Sequence, residues 1–273
     1  MTVKLEDRFR GLRQLGEGAF IPFITLGDPD PDFTPKLADT ILKNGGDILE
    51  LGIPFSDPIA DGPTIQAATD RALKRDMNTE MAFHLAEEIR RITDNPLVFL
   101  SYYNIVLRYG LNGFFKDMED VDVEGLIIPD LPVEEAGPAL KAAKAHGRDL
   151  IFLVAPTTTE IRLRKILSKA SGFIYLVSLL GVTGARGVLR DITKRALRRV
   201  RSPLRGRAPV AVGFGISKPE HVREIIGAGA DGAIVGSAII DLLAANLDDE
   251  KKALREIGEY VSRMKSATVM GDR

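Results

Sequence analysis

The chain has no cysteine and no tryptophan, and only three histidines among its 273 residues. Without cysteine there can be no disulfide, thiolate nucleophile or cysteine-bound metal. A cysteine-free chain also fits a reducing compartment, so we expect a cytoplasmic protein. His84, His146 and His221 all fall in or beside helical patterns. This placement argues against a Ser–His arrangement and against a histidine-ligated metal.

A strong net charge and long apolar runs are absent as well. The 37 basic and 38 acidic side chains leave a formal charge of −1, so no global basic field attracts nucleic acid or an anionic membrane. No apolar run approaches the ~20 residues of a membrane helix, and the N-terminal segment lacks a signal-peptide core. The stretch 186–207 is rich in basic residues. We interpret it as a solvated helix face that also attracts an anionic substrate, and a nucleic-acid-binding arm is the alternative. We therefore expect neither a nucleic-acid nor a membrane partner.

Short apolar runs alternate with helical patterns along the chain. The runs predict a strand that starts at Asp47 and seven others, at Phe20–Thr25, Leu97–Ser101, Gly125–Pro129, Leu150–Val154, Phe173–Val177, Pro209–Gly213 and Gly232–Val235. The helical patterns lie at 5–15, Phe33–Lys43, Glu80–Ile92, Asn104–Tyr109, Val133–Ala145, Glu160–Ala170, Asp191–Val200, Pro219–Gly227, Ala238–Leu243 and Lys251–Lys265.

This alternation predicts an α/β fold. The strands are apolar on both faces, as a covered parallel sheet requires. Eight such units indicate a (β/α)8 TIM barrel with an extra N-terminal helix, and a doubly wound open sheet is the alternative. Because no linker-like break interrupts the pattern, we expect one domain over residues 1–273, with 266–273 as a loose tail.

One acid, Glu50, interrupts the apolar run of the second predicted strand. Side chains alternate along a strand, so Leu49, Leu51 and Ile53 share one face and Glu50 lies on the other. The uniformly aliphatic face should meet the helices, which places Glu50 inside the barrel near its catalytic end. Burial there should raise the pKa of the carboxyl and suit it to acid–base catalysis. A structural hydrogen-bond network is the alternative.

The loop after this strand carries two more carboxylates, Asp57 and Asp61. Pro54, Pro58 and Pro63 should prevent both a ladder and a helix from continuing here. The three acids together could instead hold Mg²⁺ with a substrate phosphate. Tyr102 and Tyr175 lie at or just past strand ends, where they could face the cavity or simply fill the barrel. No predicted strand contains lysine, which argues against a Schiff-base aldolase.

Glycine clusters follow the last three strands. Gly213–Ser217 and Gly236-Ser237 come after strands seven and eight, where barrels commonly bind phosphate through backbone N–H groups and a helix N-terminus. Tight turns are the simpler alternative. Gly181–Gly187, after strand six, has the composition of a lid that closes over ligand, or of an ordinary surface loop.

The segment Leu49–Pro63, LELGIPFSDPIADGP, closely resembles the signature of the tryptophan synthase α subunit family. Phe20–Pro29, Gly181–Gly184 and the two later glycine clusters are similar to other motifs of that family, in the same order. The resemblance covers essentially the whole chain. It implies a lyase of tryptophan biosynthesis that cleaves indole-3-glycerol phosphate into indole and D-glyceraldehyde 3-phosphate. Another phosphate-binding barrel enzyme and a non-catalytic partner protein are the rival interpretations.

The resemblance also implies partners and cofactors. The chain would join a β subunit in an α2β2 heterotetramer, and that subunit would use the indole to make L-tryptophan. The loop Pro54–Pro63 would contact the partner at the mouth of the barrel, and Asn104–Tyr109 is the second candidate contact. Pyridoxal phosphate is expected only in the β subunit, and no cofactor and no metal in this chain.

Residue roles follow from the same resemblance. Glu50 would protonate C3 of the indole ring and help to take the glycerol hydroxyl proton. Asp61 would hold the ring N–H and stabilise the cation, and Tyr175 would hydrogen-bond near Glu50 or the glycerol. The indole pocket would consist of Phe23, Leu100, Tyr102, Ile127 and Leu153. The phosphate would be received by Gly184, Phe214, Gly215, Gly236 and Ser237, with Ile234 beside them. Thr183 would tie the closed lid to Asp61.

Overall fold

A computed structural model describes residues 2–178, 186–204, 206 and 208–269. Eight parallel strands close into a barrel in chain order. They are β1 Ala19–Thr25, β2 Leu49–Gly52, β3 Leu97–Leu100, β4 Gly125–Ile127, β5 Asp149–Val154, β6 Ile174–Val177, β7 Val210–Gly213 and β8 Gly232–Val235. β1 pairs with both β2 and β8, which closes the cylinder. The predicted (β/α)8 barrel is confirmed, and the open sheet is excluded.

The described helices surround this barrel. They are α1 Leu5–Gln14, α2 Thr34–Lys43, α3 Pro63–Leu73, α4 Thr79–Arg90, α5 Tyr103–Tyr109, α6 Leu111–Asp120, α7 Gly137–Ala145, α8 Glu160–Lys169, α9 Arg186–Leu204, α10 Pro219–Gly227, α11 Ser237–Ala244 and α12 Glu250–Ser266. A short 3-10 turn, Pro31–Phe33, precedes α2. None of the described helices combines the length and the apolar character that a membrane crossing requires.

Two helices, α3 and α6, differ from the predicted pattern. Pro63 does not break the chain but opens α3, where its missing N–H has no helical partner to lose. α6 follows α5 directly across Gly110, whose φ of +96° turns the chain. Its buried Phe114, Phe115 and Met118 were a readable helical signal.

The chain ends also differ from expectation. Leu15, predicted to lie on the apolar face of the first helix, follows α1 and is 73% exposed. Ala267 and Thr268, assigned to a loose tail, are buried, and the Thr268 carbonyl accepts a hydrogen bond from the Gly18 N–H at 2.9 Å. Residues 270–273 lie outside the described residues.

Strand side chains divide into two apolar clusters. One lies between the strands and the helices and contains Leu49, Leu51 and Ile53, as alternation along β2 predicted. The other fills the barrel interior with residues such as Ile127 and Ile234. α1 closes the N-terminal end of the interior by inserting its apolar face, with residues Leu5, Phe9 and Leu12. Burial of both clusters supplies the main driving force for folding.

Acidic side chains cap the strands at the N-terminal end of the barrel. The Asp47 carboxylate accepts the Phe20 N–H at 2.8 Å, while the Asp47 N–H donates to the Phe20 carbonyl at 2.9 Å. The same reciprocal pair joins Glu124 with Leu97 and Asp231 with Val210, and so recurs between β3 and β4 and between β7 and β8. These contacts satisfy strand N–H groups that would otherwise be buried without partners.

Basic side chains complete two of these caps and attach α1 to the barrel. Arg8 and Lys265 reach the Asp47 carboxylate at 2.7 and 2.8 Å. Arg13 and Arg201 reach Asp231 at 2.7 and 2.8 Å. α1 is therefore held by its apolar face and by one ion pair on each side of β1.

We expect Asp47→Asn to lower the free energy of unfolding by about 2–4 kcal/mol, because the buried cap loses the charge that Arg8 and Lys265 neutralise. Urea unfolding measures the change. The control is Asp39→Asn, which removes only the exposed ion pair with Lys43 and should shift stability by less than about 0.5 kcal/mol. Equal effects of the two substitutions would contradict a structural role for the cap.

Candidate active site

A cavity of about 290 Å³ opens at the C-terminal ends of the strands. It brings together ten of the predicted site residues, which are Phe23, Glu50, Asp61, Leu100, Tyr175, Phe214, Gly215, Ile234, Gly236 and Ser237. They come from β1, β2, β3, β6 and β8 and from the loops that follow β2, β7 and β8. The lining combines apolar side chains such as Phe23, Leu100 and Ile234 with a few polar groups, as a pocket for an apolar ring with a charged end requires.

Glu50 lies on the interior face of β2 and is 1% exposed. Its Oε2 atom is buried without a hydrogen-bond partner among the described residues. Burial, and to a lesser extent the charge of Asp61, raises the pKa of Glu50 to about 8. A carboxyl with such a pKa is protonated at neutral pH and can release its proton within the working range of an enzyme. Glu50 thus lies on the interior face that alternation along β2 predicted.

Asp61 lies on the loop between β2 and α3 and is half-buried. Burial raises the pKa of this carboxyl, and a hydrogen bond from Tyr102 partly opposes the shift. The Tyr102 hydroxyl also accepts the N–H of Ala60 at 3.0 Å. Tyr102 was assigned to the indole pocket, but its hydroxyl contacts the loop and its side chain is absent from the cavity lining. It orients the loop and the carboxyl of Asp61.

Tyr175 projects from β6 toward Glu50 and is buried. Burial, and then the charges of Glu50 and Asp61, hold the pKa of its hydroxyl well above the usual range. On the neighbouring β7, a Cβ atom at Gly213 would lie 2.3 Å from the Tyr175 hydroxyl oxygen. Only glycine therefore leaves room for this side chain, which can donate a hydrogen bond but not ionise near neutral pH.

The opposite end of the cavity is built from backbone. α11 begins at Ser237, and Gly236, Ser237 and Ala238 line the cavity. The first N–H groups of a helix have no partner within it and carry the positive end of its dipole. Gly215, from the loop after β7, lies on the same cavity. This end is suited to a phosphate group.

The other predicted residues lie elsewhere. Ile127 and Leu153 belong to the barrel interior and are absent from the cavity lining. Thr183, Gly184 and most of the predicted lid Gly181–Gly187 lie outside the described residues.

The cavity is also lined by residues to which the sequence analysis gave no individual role, namely Gly62, Ile65, Ile216, Ser217, Ala238 and Asp241. Ile216, Ser217 and Ala238 stand beside predicted residues, so the glycine clusters were a usable signal for them. Ile65 and Asp241 lie on α3 and α11, whose orientations the sequence does not reveal. These helices touch through a hydrogen bond of 3.0 Å from the Thr64 hydroxyl to Asp241.

A second recess, of about 630 Å³, lies at the outer surface. It joins the outer part of the β2–α3 loop, including the exposed Asp57, to α5 with Asn104 and Arg108. These two segments were predicted to meet a partner. Among the described residues, no group of three or more His, Asp or Glu side chains could hold a metal ion.

Comparisons with known proteins agree with this geometry. The sequence model of the family "Tryptophan synthase alpha chain" matches residues 9–269. The alpha chain of Methanothermobacter thermautotrophicus is 47% identical over 91% of this chain and 92% of its own length. That of Methanosarcina mazei is 50% identical over 90% of this chain and 88% of its own.

Solved structures show the same likeness. The tryptophan synthase alpha chain of Legionella pneumophila superposes with a TM-score of 0.87 at 32% identity, covering 97% of this chain and 96% of its own. A chain of Mycobacterium tuberculosis tryptophan synthase gives a TM-score of 0.88 at 32% identity, covering 99% and 100%.

Sequence, fold and cavity thus lead to one conclusion. The chain belongs to the tryptophan synthase alpha chain family, and its activity is the lyase reaction of that family in tryptophan biosynthesis, the cleavage of indole-3-glycerol phosphate.

Proposed function

We propose that Glu50 is the acid–base residue of a retro-aldol cleavage that releases indole and D-glyceraldehyde 3-phosphate. The buried Glu50 carboxyl, unpaired at Oε2 and with its pKa raised to about 8, is the observation that carries the assignment. The protonated carboxyl gives its proton to C3 of the indole ring, which becomes an iminium cation. The resulting carboxylate helps to take the proton of the hydroxyl next to the ring. The bond between C3 and the glycerol carbon breaks, its electrons neutralise the iminium, and an aldehyde forms.

Asp61 is the group that we assign to the ring nitrogen. Its carboxylate lies on the same cavity as Glu50 and accepts the indole N–H. Negative charge at this point stabilises the cation that develops in the ring. Tyr102 supports the role because its hydroxyl contacts both the Ala60 N–H and the Asp61 carboxyl.

The rest of the substrate has matching surfaces. Phe23, Leu100 and Ile234 offer apolar surface to the indole ring, and Ile127 and Leu153 form the interior packing behind it. Phe214, Gly215, Gly236 and Ser237 receive the phosphate, and Tyr175 donates a hydrogen bond near Glu50 or to the glycerol. Thr183 and Gly184, outside the described residues, stay predicted substrate contacts.

No cofactor is needed in this chain under this assignment. Cleavage of a carbon–carbon bond needs an electron sink, and the protonated indole ring is itself that sink. Pyridoxal phosphate belongs, in this proposal, to the partner β subunit, which condenses the released indole into L-tryptophan.

The partner is proposed from the same surfaces. The relatives are named alpha chains of an enzyme, which implies a further chain, and we propose an α2β2 assembly in the cytoplasm. The recess beside Asp57 and α5 is its contact surface. Ile59 and Leu107, on these two segments, are 79% and 55% exposed, and a partner bound here would cover their apolar surface. The loop that carries Asp61 would then contact the partner directly.

Glu50→Gln tests the acid–base assignment twice. The substitution keeps the volume of the side chain and removes its proton, so cleavage of indole-3-glycerol phosphate should fall by more than about 10³-fold while phosphate still binds. Steady-state indole release and calorimetric phosphate titration measure the two properties. Near-wild-type turnover would refute the assignment.

The same variant should become more stable than the wild type as the pH rises. The pKa of Glu50 is about 8 in the folded protein against an ordinary value of 4.5, so the folded state holds the proton more tightly. Wild-type stability therefore falls between about pH 4.5 and pH 8, and Glu50→Gln escapes this loss. Above pH 8 the variant should be more stable by about 3–5 kcal/mol. Urea unfolding at pH 5 and pH 9 measures the difference, and an equal difference at both would contradict burial of an ionising group.

Asp61→Asn should lower the rate of the isolated chain by roughly 10²–10³-fold, because one electrostatic contact to the cation is lost. Asp57→Ala is the matched control from the same loop, since Asp57 is exposed and absent from the cavity lining. It should keep the intrinsic rate. If both substitutions lowered the rate equally, the assignment of catalysis to Asp61 and of partner contact to Asp57 would be wrong.

Formation of a complex with a β subunit tests the proposed contact surface. With a β subunit added, cleavage should accelerate by roughly 5–150-fold, the usual range of coupling between sites. Asp57→Ala combined with Arg108→Ala should weaken co-purification and reduce this acceleration. Asp248→Ala, an exposed acid on the connection between α11 and α12, should change neither. A double variant that binds and responds like wild type would place the interface elsewhere.

A further inference from the structure

The loop between β7 and α10, residues 214–218, has an unusual backbone. Phe214 and Gly215 both adopt positive φ, +72° and +69°. Glycine does so freely, but a bulky side chain such as phenylalanine does so only when the surroundings impose the conformation. The result is visible in the cavity, where Phe214 lies edge-on to Tyr175 with ring centroids 6.1 Å apart.

The first half of the loop is fixed from inside the barrel. The Ser178 hydroxyl, just past β6, donates a hydrogen bond to the Phe214 carbonyl. Ile216 is buried in the apolar cluster between strands and helices. These contacts hold the loop near β6, but they leave the orientation of its second half open.

The second half is fixed at Ser217, where both backbone polar groups are bound by side chains. The Ser217 N–H donates to Nδ1 of His221 at 3.3 Å. The Ser217 carbonyl accepts the Tyr260 hydroxyl at 3.1 Å. His221 lies in the first turn of α10, and Tyr260 is a largely buried residue of α12. Two helices outside the cavity thus determine how one residue of the cavity lining is oriented.

We propose that Tyr260 and His221 are positioning residues for phosphate recognition. They bind both backbone polar groups of Ser217, and thereby keep Phe214 and Gly215 in the positive-φ conformation, on the cavity that the α11 N-terminus also lines. The inference rests on the proposed function, in which this end of the cavity receives the substrate phosphate. Preorganisation of this kind improves binding because the loop is already ordered, so phosphate binding carries no entropy cost for ordering it.

The position of the Tyr260 hydroxyl distinguishes this role from simple packing. The ring fills space in α12 whether or not it carries a hydroxyl, and phenylalanine has the same shape. Within the described ranges, the hydroxyl makes one hydrogen bond, to the Ser217 carbonyl. Removal of the oxygen alone should therefore release the loop while the packing of α12 is kept.

Tyr260→Phe is the primary test. The dissociation constant for inorganic phosphate, from calorimetry, and the KM for indole-3-glycerol phosphate should each rise about 3–10-fold, the range expected for one lost hydrogen bond. The kcat should stay within about twofold, since Glu50 and Asp61 are untouched. Tyr103→Phe is the control, because the Tyr103 hydroxyl makes no hydrogen bond within the described part of the chain. It should bind phosphate as wild type does.

His221 offers an independent test that does not depend on α12. His221→Leu removes the acceptor for the Ser217 N–H and should weaken phosphate binding. His221→Asn provides a side-chain oxygen near the former Nδ1 position and should restore much of it. If Tyr260→Phe failed to fold, this pair would decide the question, and equal phosphate binding by the two His221 variants would overturn the proposal.

The outcomes also separate this inference from the proposed function. A wild-type chain that binds phosphate, with a folded Tyr260→Phe variant that binds it equally well, overturns the positioning role alone. A wild-type chain that does not bind phosphate, and cleaves the dephosphorylated substrate as well as the phosphorylated one, overturns the phosphate site and the positioning role together.

Discussion

The burial of one carboxyl group inside an apolar barrel is the constraint on which the site depends. Ile21 and Val98 of the interior cluster lie on β1 and β3, the strands that flank the strand of Glu50, and no described residue hydrogen-bonds its Oε2. Removing a carboxylate from water is unfavourable, so the group holds its proton at neutral pH. The same desolvation that makes Glu50 useful as an acid destabilises the folded chain, and the surrounding structure has to offset this.

Burial of the two apolar clusters supplies this offset, and the acids at the opposite end of the barrel are arranged differently from Glu50. There, carboxylates are also buried, but each has its partners. Asp47 and Asp231 bind strand N–H groups and two basic side chains apiece, and α1 is attached by the same ion pairs. Glu124 accepts the Leu97 N–H and faces Arg90, although burial still raises its pKa to about 7. The barrel thus separates its acids by function, with partnered carboxylates where the fold is stabilised and an unpaired one where chemistry occurs.

Much of this organisation could be predicted from the sequence. Alternation along Leu49-Glu50-Leu51 was enough to place Glu50 inward, because a two-residue period leaves only two faces to choose between. Eight apolar runs separated by helical patterns were enough for the barrel. Glycines after β7 and β8 indicated the phosphate end, because close backbone approach to an anion needs residues without side chains.

The remainder depends on contacts between distant segments. The role of Tyr102 could not be predicted, because its hydroxyl meets Ala60 and Asp61 only when β3 and the β2–α3 loop come together. Pro63 was misinterpreted as a helix breaker, since proline disrupts a helix interior but is well tolerated in its first turn. Tyr260 and His221 carry no local signal, and they gain a role only because α10 and α12 converge on Ser217.

The central claim is that Glu50 is protonated at neutral pH because it is desolvated. Carbon-13 NMR of the folded chain, labelled at glutamate side-chain carboxyls, measures this directly when the wild-type titration is compared with that of Glu50→Gln. The account predicts one carboxyl resonance, missing from the variant, that titrates with a pKa near 8. A Glu50 resonance that titrates near the ordinary value of 4.5 would contradict it.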